Sequence, residues 1–584
     1  MTRFFISLVL ACGAIFSTRA ETDYPLTADS ISNPAVPAGE LLKFTLDASK
    51  VFPGTAHDVS VYVPQQYNST SAACVYIGQD GGGFNDRIVF DNLIAKKEIP
   101  VLIGVFIKPG VAKTPLTNSL DRYNRSLEYD GLGGDYARFL LNEVLPAVEK
   151  LSTGDGRALH LSTNGNDRCL GGASSGAIAA FTAAWERPEA FSRVFSSVGT
   201  FVGLRGGNEY PTLVRKFEPK AIRIFQEDGT NDLNIYGGDW WLANQEMERA
   251  LTFANYEHAH AWGDNGHATK HATAIFPDAL RFLWHDWPVP VKAGESKNQF
   301  LRDLLIPSDD WELVSEKHQF TEGPAVNARG EVFFNDIPAS KTFKIGLDGK
   351  VEEFLSDSKK ANGQAFGPDG KLYVIATASN QVLVCDVTTR ARKILAEDIH
   401  GNDIVVRRDG GIFLTEPFSS ENNKPGNIWF MLPNGEKHIV DTGLKYPNGI
   451  TLSPDQSLLY AADYRSHWVY SWQVLADGSL ANKQRYFRLH VPDNADDSGA
   501  DGMRCDRDGR LYVATRLGVQ VCDQAGRVNC ILPTPNGRVA NLSFGGENFD
   551  TLFCTCGDQV FKRKLKVKGA LPFAEPSKPA APKL

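Results

Sequence analysis

Apolar positions along the chain follow two different rules, and the change falls near residue 300. From about residue 40 to 287, short continuous apolar runs such as Ala73–Ile77 and Pro100–Phe106 alternate with segments whose apolar residues recur every three to four positions. A short unbroken run suits a strand buried on both faces, whereas the longer period suits an amphipathic helix. Helices are therefore predicted over Asp135–Leu145, Trp241–Leu251 and Ala274–Trp284. Alternating strand and helix implies an α/β domain at 21–287, a mainly parallel sheet flanked by helices.

Trp287–Lys297, with Pro288, Pro290 and Gly294, breaks that rhythm and predicts a linker over 288–309. Beyond Asp310 the pattern becomes turn-then-strand, repeated six times: Asn327–Phe334, Pro368–Val374, Arg408–Leu414, Pro454–Tyr460, Arg507–Val513 and Glu547–Phe553. Copies spaced roughly 40 to 53 residues apart match a four-stranded propeller blade. Asp-Gly before alternating apolar residues is a hairpin signal, since glycine accepts the positive φ of the turn. The expectation is an all-β six-bladed propeller at 310–567 around a central channel. The tail 568–584, carrying Pro572, Pro576, Pro579 and Pro582, is expected to lack fixed structure.

The first twenty residues carry Arg3, an apolar run Phe4–Phe16, and the small residues Thr18 and Ala20. That is the grammar of a secretory signal peptide cut after Ala20, and the run is short of the ~20 residues a bilayer span needs. Export to a periplasmic or extracellular space is expected, with lipidation at Cys12 the weaker alternative. No later segment is apolar enough to span a membrane. The 584 residues carry 61 Lys+Arg against 69 Asp+Glu, a net charge of −8 that gives no attraction to nucleic acid. The cysteines form no CxxC pair; Cys522 and Cys530 flank a turn and either bridge neighbouring strands or remain buried thiols.

The first chemical signal is Gly172-x-Ser174-x-Gly176, between a short apolar step and the helical run Ala177–Ala184. In a strand–turn–helix elbow the serine oxygen stands above the sheet, and flanking glycines make room for the backbone. Asp232 follows the strand Ile222–Phe225, and His267 precedes the last helix, giving the chain order Ser174, Asp232, His267. His267 would take the serine proton and Asp232 would orient the imidazole. Asp228 is the rival acid, and His271 and His260 are rival bases. Upstream, Gly78–Gly83 supplies Gly81 and Gly82, which with Ser175 are candidate amide donors to an oxyanion or substrate. A phosphate loop would need a following Lys-Ser/Thr, which is absent. Together with Arg125-x-x-Glu128-Tyr129 and Leu145-Pro146, residues 40–287 resemble the enterochelin esterase-like (esterase D-type) α/β-hydrolases. That resemblance implies carboxylic-ester hydrolysis without a cofactor in this domain.

The second signal is a set of acids and amides at equivalent strand starts: Glu322, Asn362, Asn402, Asn448 and Asp501. In blades held in register these would converge on one mouth of the channel. Two carboxylates with an amide oxygen suit Ca²⁺ or Mg²⁺, with Zn²⁺ a further candidate. Residues 310–567 resemble the SMP-30/gluconolactonase/LRE-like family. The resemblance implies a divalent metal held by Glu322, Asn448 and Asp501, with Asn402 and Asn362 facing substrate and Asp501 as base. His400 stands where family lactonases often carry arginine. The expected whole is an exported bifunctional hydrolase of small-molecule or carbohydrate esters and lactones. The alternative is a single esterase whose propeller binds carbohydrate or protein.

Overall fold

A computed structural model describes residues 22–417 and 426–582. The leader and Cys12 therefore lie outside the described residues. The N-terminal domain is built on an eight-stranded sheet whose strands, in chain order, are β1 Glu40–Leu46, β2 His57–Val63, β3 Cys74–Gly78, β4 Leu102–Ile107, β5 Arg168–Ala173, β6 Arg193–Ser197, β7 Arg223–Gly229 and β8 Glu257–Gly263. Their spatial order is β1-β2-β4-β3-β5-β6-β7-β8, antiparallel at β1-β2-β4 and parallel from there on. The central strands β3 to β7 are buried nearly along their length, as the apolar runs of β3 and β4 predict. One face packs Val144, Ile178, Phe181 and Leu251. The other packs Phe90 and Leu93 with Phe276 and Leu280 from the helix Lys270–Trp284. This is the α/β-hydrolase architecture.

The C-terminal domain is a six-bladed propeller of four-stranded antiparallel sheets. The repeated turn signature joins the innermost strand of each blade to the second one; Gly410 and Gly509 take φ of +86° and +85° there. Five blades are built from consecutive strands. In the sixth, Glu312–Ser315 pairs with Gln559–Lys564 and closes the ring.

The two domains share a packed junction. Phe217 bridges to Ile531, and Leu213 and Phe217 lie in one apolar cluster with Cys522, Val528 and Ile531. Arg563 donates to both Glu218 oxygens at 2.7 and 2.8 Å, and Asn298 Nδ2 donates to the Arg215 and Asn529 carbonyls.

Two local expectations, the linker and the tail, differ from the structure, and the open question of the cysteines is settled as buried thiols. Within the linker segment, Gln299–Leu304 is helical, capped by Asn298, and inserts Leu301 and Leu304 into the last blades. The tail is held across the ring rather than loose. Lys568 and Pro572 carbonyls accept from Arg507 N and Gln456 Nε2, and Ser577 N donates to the Pro454 carbonyl. Proline cannot donate to a ladder, but its carbonyl still accepts, and Phe573 packs against the core of the second blade. All eight described cysteines are free and buried. A register shift sets Cys530 opposite Val521 and Cys522 opposite Val528, so the two thiols point to opposite faces of the blade. Among the described residues no helix is long and apolar enough to cross a membrane.

Candidate active sites

Ser174 sits between β5 and the helix Ser175–Glu186 with φ 58° and ψ −122°, a conformation an L-residue adopts only under constraint. The flanking glycines are needed sterically. A Cβ on Gly172 would stand 2.5 Å from the Gly176 backbone, and one on Gly176 would meet Asp80 and Gln79 at 2.9 Å. The strained turn projects Oγ above the strand ends, where loops from β7 and β8 arrive. Ser174 Oγ donates to His267 Nε2 at 2.9 Å, and His267 Nδ1 donates to Asp232 Oδ1 at 2.6 Å. The Asp232 carboxylate is fully enclosed, whereas the imidazole keeps 22% exposure. Trp240 meets the His267 ring edge-on at 5.7 Å.

The rival residues are placed elsewhere. His271 is buried and donates to Glu227 Oε1 at 2.9 Å under the Tyr24 ring, and His260 stacks on Trp262. Asp228, the rival acid, is wholly buried behind Asp232. Neither Asp228 Oδ2 nor Asp232 Oδ2 has a hydrogen-bond donor, and the two carboxyls lie close enough to act on each other. Burial, with the contact to Asp232 added, pushes the Asp228 carboxyl up to about 9, so at neutral pH it carries the shared proton.

The glycine-rich loop departs in detail from expectation. Gly81 and Gly82 take φ of +87° and +86°. The Gly82 amide donates to the Gln79 carbonyl at 3.0 Å, so it closes the turn and is not a free donor. Ser175 opens its helix, where the first amides have no intrahelical acceptor. The loop is anchored by a two-pronged Arg125–Asp80 pair at 2.8 and 2.9 Å. Thr200 was not foreseen from the sequence; its Oγ1 lies 3.3 Å from Ser174 Oγ.

In the propeller, Glu322, Asn362, Asn402, Asn448 and Asp501 line one pocket of about 310 Å³ with Tyr446, Tyr464 and Arg465. Each lies on, or within two residues of, the innermost strand of a different blade. Burial, together with Asp403, pushes Glu322 up to about 7, and burial with repulsion from Glu322 raises Asp501 well above the carboxylate range. Asn448 lines the pocket beside Asp501, and Asn541 Nδ2 donates to Glu322 Oε2 at 2.9 Å. Arg504 lies 3.8 Å from Asp403. Buried carboxylates that repel one another, with an amide oxygen beside them, fit a divalent cation. Asp403, Asn541 and Arg504 were missed as site residues. Asp403 adjoins Asn402, and Asn541 occupies the strand start of the sixth blade, so the repeat itself held that signal.

Phe320, Tyr464 and Asp501 also line a cleft of about 910 Å³, which continues over Leu132, Glu186, Arg187 and Glu209 of the N-terminal domain. The mouth of the propeller thus opens between the domains.

An elbow serine joined to histidine and aspartate, and a ring of acids and amides at a channel mouth, are two separate candidate centres in one chain. Comparison with known proteins divides the chain in the same way. Residues 50–275 match the Esterase family, and residues 320–558 match the SMP-30/Gluconolactonase/LRE-like region. A gluconolactonase of Zymomonas mobilis is 27% identical over 300 residues, covering 46% of this chain and 84% of its own. Lactonase drp35 of Staphylococcus aureus is 24% identical over 225 residues, covering 36% and 67%. Among solved structures, the enterobactin esterase of Shigella flexneri is similar at 18% identity and a TM-score of 0.33, over 44% of this chain and 61% of that one. The N-terminal half is thus similar to the Esterase family and the C-terminal half to the gluconolactonase-like propellers. The chain is a hydrolase acting on ester or lactone bonds.

Proposed function

We propose that the chain is an exported hydrolase with two catalytic centres, a serine carboxylesterase and a metal-dependent sugar-lactonase. The observation that carries the first is the continuous hydrogen-bonded series from Ser174 through His267 to Asp232 on a strained elbow. Ser174 Oγ attacks the ester carbonyl as His267 Nε2 takes its proton, and Asp232 holds the imidazole and its developing charge. The amides of Ser175 and Gly81 receive the oxyanion. His267 then returns the proton to the leaving alkoxide, and water releases the acid by the same steps.

For the second centre, Glu322, Asn448 and Asp501 would hold a divalent cation, Ca²⁺ being the first choice for an all-oxygen set. When bound it supplies Lewis-acid polarisation of the lactone carbonyl. Asp501 takes the proton of the attacking water, and Asn402 and Asn362 orient the ring hydroxyls. Arg465, stacked over Tyr446 at 4.9 Å in the same pocket, supplies the guanidinium that position 400 lacks. Export rests on the apolar leader before Ala20.

The test is a panel of short-chain esters and aldonolactones on the full chain, with and without chelator, beside Ser174→Ala and Asp501→Asn. Ester turnover lost only in Ser174→Ala, and lactone turnover lost only in Asp501→Asn or with chelator, supports both centres. Retained fluorophosphonate labelling in Ser174→Ala would remove the first. Chelator-insensitive lactone turnover would remove the second.

A further inference from the structure

β8 is the edge strand of the N-terminal sheet, and its side chains alternate. Ala259 and Ala261 face the core under the last helix, while His258, His260 and Trp262 face the helix Trp240–Ala254. From that helix Glu248 joins the two histidines, and the donor atoms of all three side chains lie within 4.8 Å of one another. The cluster shares no residue with either pocket described above.

The hydrogen bonds around it fix a tautomer. Thr252, one turn after Glu248, donates its single hydroxyl proton to Glu248 Oε1 at 2.9 Å. The same hydroxyl oxygen lies 2.9 Å from His258 Nε2, so it must accept from Nε2–H. A neutral His258 then carries its lone pair on Nδ1, and that atom is buried with no partner. A buried acceptor without a donor is costly, and a cation is the ligand that satisfies an imidazole lone pair. His260 is held in plane by Trp262, stacked at 4.6 Å, which is in turn held edge-on by Trp241 at 5.4 Å. An adjoining hollow of about 360 Å³, lined by Gln245, Glu248, Arg249, Thr252 and Trp262, leaves room for water at a fourth position.

We propose that Glu248, His258 and His260 form a site for a borderline divalent transition metal, with zinc as its first occupant, that clamps the helix Trp240–Ala254 to the sheet edge. Two imidazoles and one carboxylate with an open position suit Zn²⁺ and also Cu²⁺, whereas Ca²⁺ prefers an all-oxygen shell. Thr252 is the outer partner that orients an imidazole ligand. The clamped helix begins at Trp240, the residue packed against His267.

The experiment uses tag-free, chelator-stripped full chain, titrated with Zn²⁺ by equilibrium dialysis and with Cu²⁺ followed by electron paramagnetic resonance. Nitrogen coupling to Cu²⁺ marks imidazole ligation and separates this site from the oxygen-only propeller pocket. Wild type and Glu322→Gln are expected to show the coupling and a tight Zn²⁺ equivalent. His258→Gln and His260→Gln are each expected to diminish the nitrogen coupling, with Zn²⁺ affinity falling at least about tenfold. Glu248→Gln removes a ligand without touching an imidazole; it should weaken Zn²⁺ and keep the coupling. His260 is exposed, so its variant folds, and circular dichroism on each variant checks this. Absent nitrogen coupling in wild type, or coupling undiminished in both histidine variants, overturns the proposal.

Discussion

Asp228 offers the sharpest test of how the ester centre is built. It is the penultimate residue of β7, four before Asp232; its Oδ1 accepts from Gly229 N at 2.7 Å and its Oδ2 is buried with no donor. A neutral Asp228 donates to Asp232 and leaves that carboxylate satisfied on the side away from His267. The Asp228→Asn variant keeps an amide donor there, so kcat/KM for a short-chain ester should stay within about threefold at pH 7. Asp228→Ala leaves the buried Asp232 oxygen unpartnered, at a cost of about 1–3 kcal/mol. Expressed as rate, that is a loss of about five- to 150-fold. The pH profile supplies the sign. A carboxyl raised to about 9 is protonated below that value and lost as donor above it, when two carboxylates would face each other. Wild-type kcat/KM, corrected for spontaneous hydrolysis, should therefore fall as pH rises through about 9, and Asp228→Asn should lack that limb. Equal damage in the Asn and Ala variants, or a wild-type profile level through pH 10, would refute the shared proton.

Further outcomes follow from geometry already described. Ser174→Ala should abolish fluorophosphonate labelling and cut ester turnover at least about 10⁴-fold while sparing lactones, measured on the same preparation. Chelation or Asp501→Asn should remove lactone turnover and leave ester rates within about twofold. Gly172→Ala forces a Cβ against the Gly176 backbone and should lower the thermal midpoint by several degrees; an unchanged midpoint would show that the elbow relaxes freely. Truncation after Val567 removes the packing of Phe573 and should cost about 1–2 kcal/mol in a denaturant midpoint.

Features legible in the sequence were those whose physics is local. Gly172 announces a tight elbow because the clash it avoids, with the Gly176 backbone, lies within five residues, whereas Gly176 makes room for Gln79 and Asp80 of a distant loop. The six turn-then-strand signatures, three of them with Asp-Gly, announce blades because each hairpin needs its own turn. Glu322, Asn448 and Asp501 could be paired through that repeat, and so could Asn541, had the sixth strand start been followed through. Other features depend on residues distant in the chain. The commitment of the Gly82 amide, the shared proton of Asp228 and the pairing of Arg504 with Asp403 arise only when loops meet in space. A single register shift decides the fate of Cys522 and Cys530, and no spacing rule records it. The proline-rich tail misleads for the same reason, since its order is supplied by acceptors and donors on the ring.

Glu312–Ser315 closes a ring whose matching edge, Gln559–Lys564, lies some 250 residues further on. At about 5–20 residues per second of ribosomal synthesis, that strand waits on the order of 12–50 s for its partner. Throughout that interval the strand is an unpaired edge, the kind of surface that other strands can pair with.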